Sequence, residues 1–301
     1  MRSLVTRPVR ALLIAGLLIL LVAAFAWLTR PQLLSAADLP RHEPDSANGE
    51  RLFHAGGCAS CHGAGLEGGL EIATGFGTFR VPNISPDPVA GIGSWTTLQF
   101  VNAMQRGVSP RGEHYYPAFP YTSYARMRLA DLIDLKSHLD SFAPVPDSVS
   151  GHELGFPWNI RRGIGLWKTR YLDADAVLSV PAGNEVLERG RYLVEAVGHC
   201  AECHTARDPF GGLQRSHWLA GGASPDGEGH VPNITPHADG LAEWSERDIE
   251  RYLKSGFTPD YDTVGGSMTQ VQENLARLPD SDRAAITAYL KAIAPLPDPT
   301  G

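Results

Sequence analysis

The hydrophobic residues of this chain are most concentrated near the N-terminus. Residues 11–28 form an apolar run of 18 residues. As a helix this run would be about 27 Å long, close to the hydrocarbon thickness of a bilayer. Arg2, Arg7 and Arg10 precede it without an acidic residue, so the positive-inside bias places the N-terminus in the cytoplasm and the rest of the chain outside. We therefore predict a single-pass anchor in the cell inner membrane, with periplasmic domains after it.

A cleaved signal peptide is the alternative interpretation of the same run. The run is longer than the 7 to 15 apolar residues typical of signal peptides. It is also followed by threonine, arginine and proline, in the sequence WLTRP at residues 27–31, and not by the small residues of a cleavage site. Both features favour an uncleaved anchor. The small residues at 35–37 keep cleavage open, and residues 1–45 are assigned to the anchor and its linker.

Beyond the anchor, the apolar positions recur mostly at helical spacing. Two stretches have the pattern of amphipathic helices that close a folded unit. They contain Leu129, Leu132, Ile133, Leu139 and Phe142 in the first case, and Ile286, Tyr289, Leu290 and Ile293 in the second. The pattern predicts a mainly α fold.

The two halves of the chain repeat one another over about 100 residues. VPNISPD at 81–87 returns as VPNITPH at 231–237, and each copy is followed by a tryptophan and a predicted helix that ends in glycine. A proline-rich stretch at 143–147 ends the first unit, and an aromatic-rich stretch follows it. We predict domains at 46–145 and 186–301, with 146–185 as a connecting segment packed on a domain surface or near the membrane.

Charge limits the partners of the exported part. Four arginines and no acidic residue lie within residues 1–30, leaving 22 basic and 33 acidic residues beyond, a formal net charge of −11. Such a surface excludes nucleic acid as a plausible partner.

All four cysteines fall in two copies of one motif. Cys58 and Cys61 precede His62, and Cys200 and Cys203 precede His204. C-x-x-C-H is the attachment sequence of c-type haem: two thiols add across the porphyrin vinyl groups, and the histidine becomes an axial ligand of the iron. A shared structural zinc would need closer pairs than the 139 positions between Cys61 and Cys200. A thioredoxin-type motif needs no trailing histidine. The chain is therefore expected to bind two covalent haem c groups.

A low-spin electron carrier also needs a sixth iron ligand, commonly a methionine sulfur. Met268 lies in residues 265–269, which are predicted to form a Gly-rich loop between two helices after the second haem motif, and is the expected ligand there. In the first half Phe119 takes the aligned position, so Met127 is the expected ligand, with His114 or an open iron as the alternatives. Met104 lies in a predicted helix and is expected to be in the core.

Trp95 and Trp244 follow the VPN repeats in equivalent positions. They either cover the haem edges, donating an indole N–H to a propionate, or pack in the core.

With these residues identified, the chain resembles the multi-haem cytochrome c subunits of bacterial membrane-bound alcohol, gluconate, fructose and aldehyde dehydrogenases. The most specific matching stretches are VPNISPDPVAGIGSW, GVSPRGEHYYPAFPYTSYARM and FPWNIRRGIGLW. The resemblance implies two tandem class I cytochrome c-like domains after the N-terminal transmembrane helix. It also implies electron transfer from a dehydrogenase catalytic subunit to quinone or a terminal oxidase, without catalysis by this chain. Such subunits commonly carry three haems and this chain has two, which weakens a direct quinone-reducing role.

A different class of function stays open. A di-haem enzyme, such as a peroxidase-like protein, needs one iron with a vacant or exchangeable position. The uncertain sixth ligand of the first haem allows this alternative.

Overall fold

The computed structural model describes residues 7–224 and 229–299. Arg2, part of the expected basic flank, and the last two residues of the second predicted domain lie outside these ranges. Helix α1, Arg7–Leu28, is the predicted apolar helix. Its stretch Val9–Leu28 is long and apolar enough to cross a membrane and is not buried against the rest of the protein. A membrane anchor and a signal sequence both fit this finding.

The first half folds as helices α2 Ser46–Ala55, α3 Cys58–His62, α4 Thr97–Arg106, α5 Tyr121–Tyr124 and α6 Leu129–Leu139. Helices α2 and α6 pack against each other. A Cβ atom at Gly49 would overlap the backbone carbonyl of Asp134, so the close crossing requires glycine. The Asp45 side chain caps α2 by accepting from the amides of Ala47 and Asn48.

The second half repeats this arrangement. Its helices are α8 Glu185–Tyr192, α9 Ala201–His204, α10 Glu246–Ser255, α11 Met268–Leu275 and α12 Asp280–Ala292, with a π turn at Leu193–Val197. Helices α8 and α12 pack as α2 and α6 do. Gly190 allows this crossing, because a Cβ there would overlap the carbonyl of Ala285.

The connecting segment folds back onto the first half. Strands β1 Glu71–Thr74 and β2 Gly77–Arg80 form an antiparallel hairpin, and β3 Glu153–Leu154 from the connecting segment extends it. Helix α7, Ile164–Tyr171, follows. Lys168 on this helix donates to the carbonyls of Arg106 and Gly107 at the end of α4, at 2.6 and 2.7 Å. A second small sheet pairs β4 Gly222–Ala223 with β5 His230–Val231.

One continuous hydrophobic core runs through both halves. It includes Leu52, Val101 and Leu132 from the first half and Leu193 and Ile286 from the second. The mainly α fold class is confirmed.

Candidate haem sites

The first haem motif occupies a single helical turn. Helix α3 begins after Gly57, whose φ of 57° is the left-handed conformation that favours glycine. Side chains three residues apart on a helix lie on one face, so Cys58 and Cys61 project together. Cys58 is half-buried and Cys61 is exposed, an arrangement that lets a large planar group lie across the turn.

Each motif histidine is held by a proline carbonyl. The His62 Nδ1 lies 2.8 Å from the carbonyl oxygen of Pro82, and the His204 Nδ1 lies 2.8 Å from that of Pro232. A carbonyl only accepts, so Nδ1 carries the proton and the Nε2 lone pair is left for iron. Burial lowers the pKa of His62 to about 4 and also lowers the pKa of His204. Both rings are therefore neutral and able to ligate.

The repeated VPN sequence explains how these prolines are fixed. Asn83 donates to the carbonyls of Val145 and Asp147 at 2.8 and 2.9 Å, and its Oδ1 accepts from the amide of Ser85. These bonds tie the loop to the chain that follows the closing helix.

In the second half, Asn233 ties the loop that carries Pro232 to the chain after the closing helix in the same way. It donates to Leu296 at 2.7 Å and accepts from the amide of Thr235 at 2.8 Å. The repeat was recognisable from the sequence but this role of its asparagine was not assigned, although the same asparagine after the same proline in both halves was the available indication.

The residues present fit a c-type haem in each half. Each motif brings two thiols and one neutral imidazole onto one turn, the donor set that covalent haem attachment requires. Within residues 7–224 and 229–299, no group of three or more His, Cys, Asp or Glu side chains could hold a metal ion directly. The zinc alternative therefore finds no support in the described part of the chain.

Met268 lies at the start of a helix. The Gly-rich stretch ends at Gly266, and Met268 is the first residue of α11, with Ser267 as its N-cap. The expectation that Met268 itself lies in the loop was wrong, because the eight residues from Met268 contain no glycine or proline and form two helical turns. Its side chain is half-buried.

Met127 lies in the core. It is 3% exposed and stands two residues before α6, as Leu278, 4% exposed, stands two residues before α12. The bridges Val108–His114 and Phe257–Thr263 are in equivalent positions. When the two halves are aligned through these bridges, Phe119 of the first half falls at the position of Met268 in the second.

His114 is an unsuitable ligand in this structure. Its Nε2 donates to the backbone oxygen of Thr29 at 2.8 Å, and its Nδ1 lies 3.1 Å from the Lys168 ammonium nitrogen. Both ring nitrogens are thus engaged at the end of α1. Met104 is buried in the core on α4, as expected.

Trp95 and Trp244 are half-buried and pack against the core cluster. The Trp244 ring also meets Tyr252 edge-on at 5.5 Å. Their contact with haem stays a prediction.

The two haem motifs lie beside each other. A Cβ at Gly56 would lie 3.4 Å from the carbonyl oxygen of Val197, and one at Gly198 would lie 3.5 Å from that of Ala55. The same virtual atoms would lie within 4 Å of the Sγ atoms of Cys58 and Cys200 respectively. The attachment turns therefore approach each other through equivalent glycines.

Further contacts join the halves next to these turns. His199 Nε2 lies 3.2 Å from the carbonyl oxygen of Gly56. The Glu202 carboxylate accepts from Thr122 and Ser123 of the first half at 2.9 and 3.2 Å, and pairs with Arg207 at 2.6 Å. The role of Glu202 was not predictable from the sequence, since contacts between residues about 80 positions apart leave no local pattern.

Comparison with known proteins identifies the fold family of both halves. The model of the cytochrome c family matches residues 46–143 and 187–294, which is more than half of the chain.

Relatives include a protein named diheme cytochrome c-type from Cereibacter sphaeroides, 48% identical over 94% of this chain and 98% of its own length. The fructose dehydrogenase cytochrome subunit of Gluconobacter japonicus is 34% identical over 84% of this chain. The gluconate 2-dehydrogenase cytochrome c subunit of Pantoea cypripedii is 34% identical over 81% of this chain. The matches span 53% of the Gluconobacter protein and 58% of the Pantoea protein.

The family match covers both haem motifs, each with its histidine held by a proline carbonyl. The chain belongs to the cytochrome c family and is a di-haem c-type cytochrome with two covalently attached haem c groups.

Proposed function

We propose that this protein is a membrane-anchored, periplasmic electron carrier that takes electrons from a dehydrogenase catalytic subunit and passes them toward quinone or a terminal oxidase. The observation that carries this proposal is the pair of haem-attachment turns packed side by side through Gly56 and Gly198. Their adjacency gives a short path within one chain. The names of the relatives from Gluconobacter japonicus and Pantoea cypripedii support a dehydrogenase as the donor.

Bound haem c supplies one-electron chemistry at iron. The residues of the chain hold it: the cysteines fix one edge, and the Pro82 and Pro232 carbonyls orient the imidazoles. The Nδ1 hydrogen bonds would keep each imidazole in a fixed orientation and tautomer when haem is bound.

We further propose that Met268 is the sixth ligand of the second haem and Met127 that of the first. Met268 is supported by its half-buried position after a Gly-rich stretch. Met127 is supported by its burial in the cluster against which Cys58 packs. Trp95 and Trp244 are proposed to contact the haem edges.

The proposed location rests on the end of α1. Thr29, directly after the helix, is fully buried in the folded protein. Cleavage at the small residues 35–37 would remove Thr29 from the folded protein, so this burial supports an uncleaved anchor.

A di-haem enzyme is the second candidate. It is favoured by one observation: Met127 occupies the position of Leu278, a packing residue, and the position of Met268 is taken in the first half by Phe119. If Met127 only packs, the first iron has an open position.

The experiment that tests the carrier uses the full-length protein in detergent. We expect two haems per 32.5 kDa chain, two one-electron waves in a redox titration, and no turnover of hydrogen peroxide with a reduced dye. Sustained peroxide turnover by the fully haem-loaded protein would favour the enzyme.

A further inference from the structure

We propose that the connecting segment lies in the headgroup region of the bilayer on the side where α1 ends. An apolar patch formed by Phe156, Trp158, Ile160 and Leu166 would then set the orientation of both haem domains over the membrane. This inference rests on the proposed anchoring by α1 and adds a second contact with the lipid.

The connecting segment is bonded to the last turn of α1. The Arg162 guanidinium donates to the carbonyl of Ala26 at 2.7 Å and to the hydroxyl of Thr29 at 2.8 Å. Gly165 packs so closely on Thr29 that a Cβ atom there would overlap its backbone. His114 donates to the Thr29 carbonyl from the other side. The segment and the end of α1 are therefore joined by hydrogen bonds and close packing into one unit.

The length of α1 sets the depth of this unit. The stretch Val9–Leu28 has 20 residues, which at about 1.5 Å per residue match the roughly 30 Å hydrocarbon core. Trp27, with Arg30 stacked 5.2 Å from its ring centre, marks the interface, where tryptophan and arginine are favoured. Because Arg162 contacts Ala26, the residue before Trp27, Arg162 lies at the same depth relative to the membrane as Trp27.

The four apolar residues flank Arg162 along the chain: Phe156, Trp158 and Ile160 precede it, and Leu166 follows it. Their side chains are 41 to 81% exposed, with Phe156 the most exposed. The patch is held on the first domain by a hydrogen bond from Tyr116 to the carbonyl of Trp158 at 2.8 Å. Large apolar side chains clustered at a surface mark a contact with a partner or a membrane.

Charge favours a lipid surface over a protein. Residues 156–171 contain no acidic residue, although the chain beyond residue 30 has a net charge of −11. Of the four basic residues in this range, Lys168 is buried, whereas Arg161, Arg162 and Arg170 reach the surface. A basic, aromatic segment beside a membrane helix suits anionic headgroups.

The test measures the depth of spin labels in the full-length haem-loaded protein, in nanodiscs containing phosphatidylglycerol. The four native cysteines are bonded to haem, so a label attaches only to an introduced one. Labels go on Phe156→Cys and Leu166→Cys. Trp27→Cys is the membrane reference, and Val89→Cys, a site 93% exposed, is the aqueous control. Collision with oxygen and with a nickel chelate is measured with both haems oxidised, each as the change relative to the same sample without the relaxant.

We expect labels at 156 and 166 to resemble that at 27, with several-fold more collisions with oxygen than with nickel, and the label at 89 to show the opposite. The inference would be overturned if the labels at positions 156 and 166 were as accessible to nickel as the label at position 89. If the label at position 27 were still shielded in that case, the anchor would remain supported. Shielding at 156 and 166 that requires an added protein would assign the patch to that protein and also overturn it. A water-exposed label at 27 would instead refute anchoring itself.

Discussion

At the scale of single residues, two backbone carbonyls decide how each haem histidine functions. Pro82 and Pro232 accept the Nδ1 protons of His62 and His204, and this fixes the tautomer that leaves Nε2 for iron. The cysteines and histidines were readable from the sequence, because attachment chemistry requires that spacing. The proline partners were not, since a backbone carbonyl has no residue preference of its own.

Removing the Asn233 side chain tests this support. In Asn233→Ala the loop that carries Pro232 loses its hydrogen bonds to Leu296 and Thr235. We expect a loss of about 1–3 kcal/mol in the free energy of unfolding, the usual cost of leaving buried polar groups unpaired. Chemical denaturation followed by haem absorbance measures this change. Asn159→Ala, at an exposed site, is the control, and equal stability of the two variants would contradict the assigned role.

Met268→Ala tests the second iron ligand. The haem should stay attached through Cys200 and Cys203, but its coordination should change and its reduction potential should fall, since methionine ligation raises the potential. Absorbance spectra and a redox titration measure both effects. Met104→Leu, in the core of α4, is the matched control. An unaltered spectrum and potential in Met268→Ala would rule out this ligand.

At the scale of elements, the helices follow their apolar periodicity, and this is why the mainly α fold was predictable. The β1–β2–β3 sheet was not predicted, because β3 has two residues and pairs with a strand more than 70 positions earlier. Met268 was misplaced in a loop for a related reason: glycines nearby do not show where a helix begins. The buried end of α1 depends on contacts of the connecting segment, which no local pattern reveals.

The contact at the end of α1 should weaken in acid. Burial, followed by the nearby charges of Lys168 and Arg162, lowers the pKa of His114 below its usual 6.5, while its bond to Thr29 opposes the shift. Arg161 also faces it, donating to its carbonyl. The unfolded chain therefore binds the proton more readily as the pH falls below 6.5, and folding loses stability from there toward the folded-state pKa.

Thermal unfolding between pH 7.5 and 5 measures this dependence. We expect His114→Gln to show a smaller loss of stability on acidification than the parent protein, since glutamine has no proton to bind. An identical pH dependence in both proteins would show that His114 does not contribute.

At the scale of the whole molecule, the two domains share one hydrophobic core and contact each other beside the haem motifs. Glu202 accepts from Thr122 and Ser123 across the interface while paired with Arg207. The internal repeat predicted two similar units. It did not predict how the two units meet, because the equivalent glycines Gly56 and Gly198 are joined there by contacts between non-equivalent residues such as Thr122 and Glu202.

Glu202→Gln should affect both stability and potential. Loss of a charge-assisted bond in a buried setting costs about 1.5–3 kcal/mol, and removing a negative charge beside Cys203 should raise the potential of the second haem. Denaturation and redox titration measure the two effects, with the exposed Glu243→Gln as control. A potential equal to that of the control would contradict the electrostatic part of this prediction.

The central claim, that both haems serve only to carry electrons, is tested most directly with carbon monoxide. The full-length reduced protein is titrated with the gas while its absorbance is recorded. If both irons hold a histidine and a methionine, neither haem binds the gas and the spectrum does not change. Ready binding by one haem would show an open or labile iron, contradict the carrier account and favour the enzyme. Comparing Met127→Ala with Met268→Ala would then identify that haem.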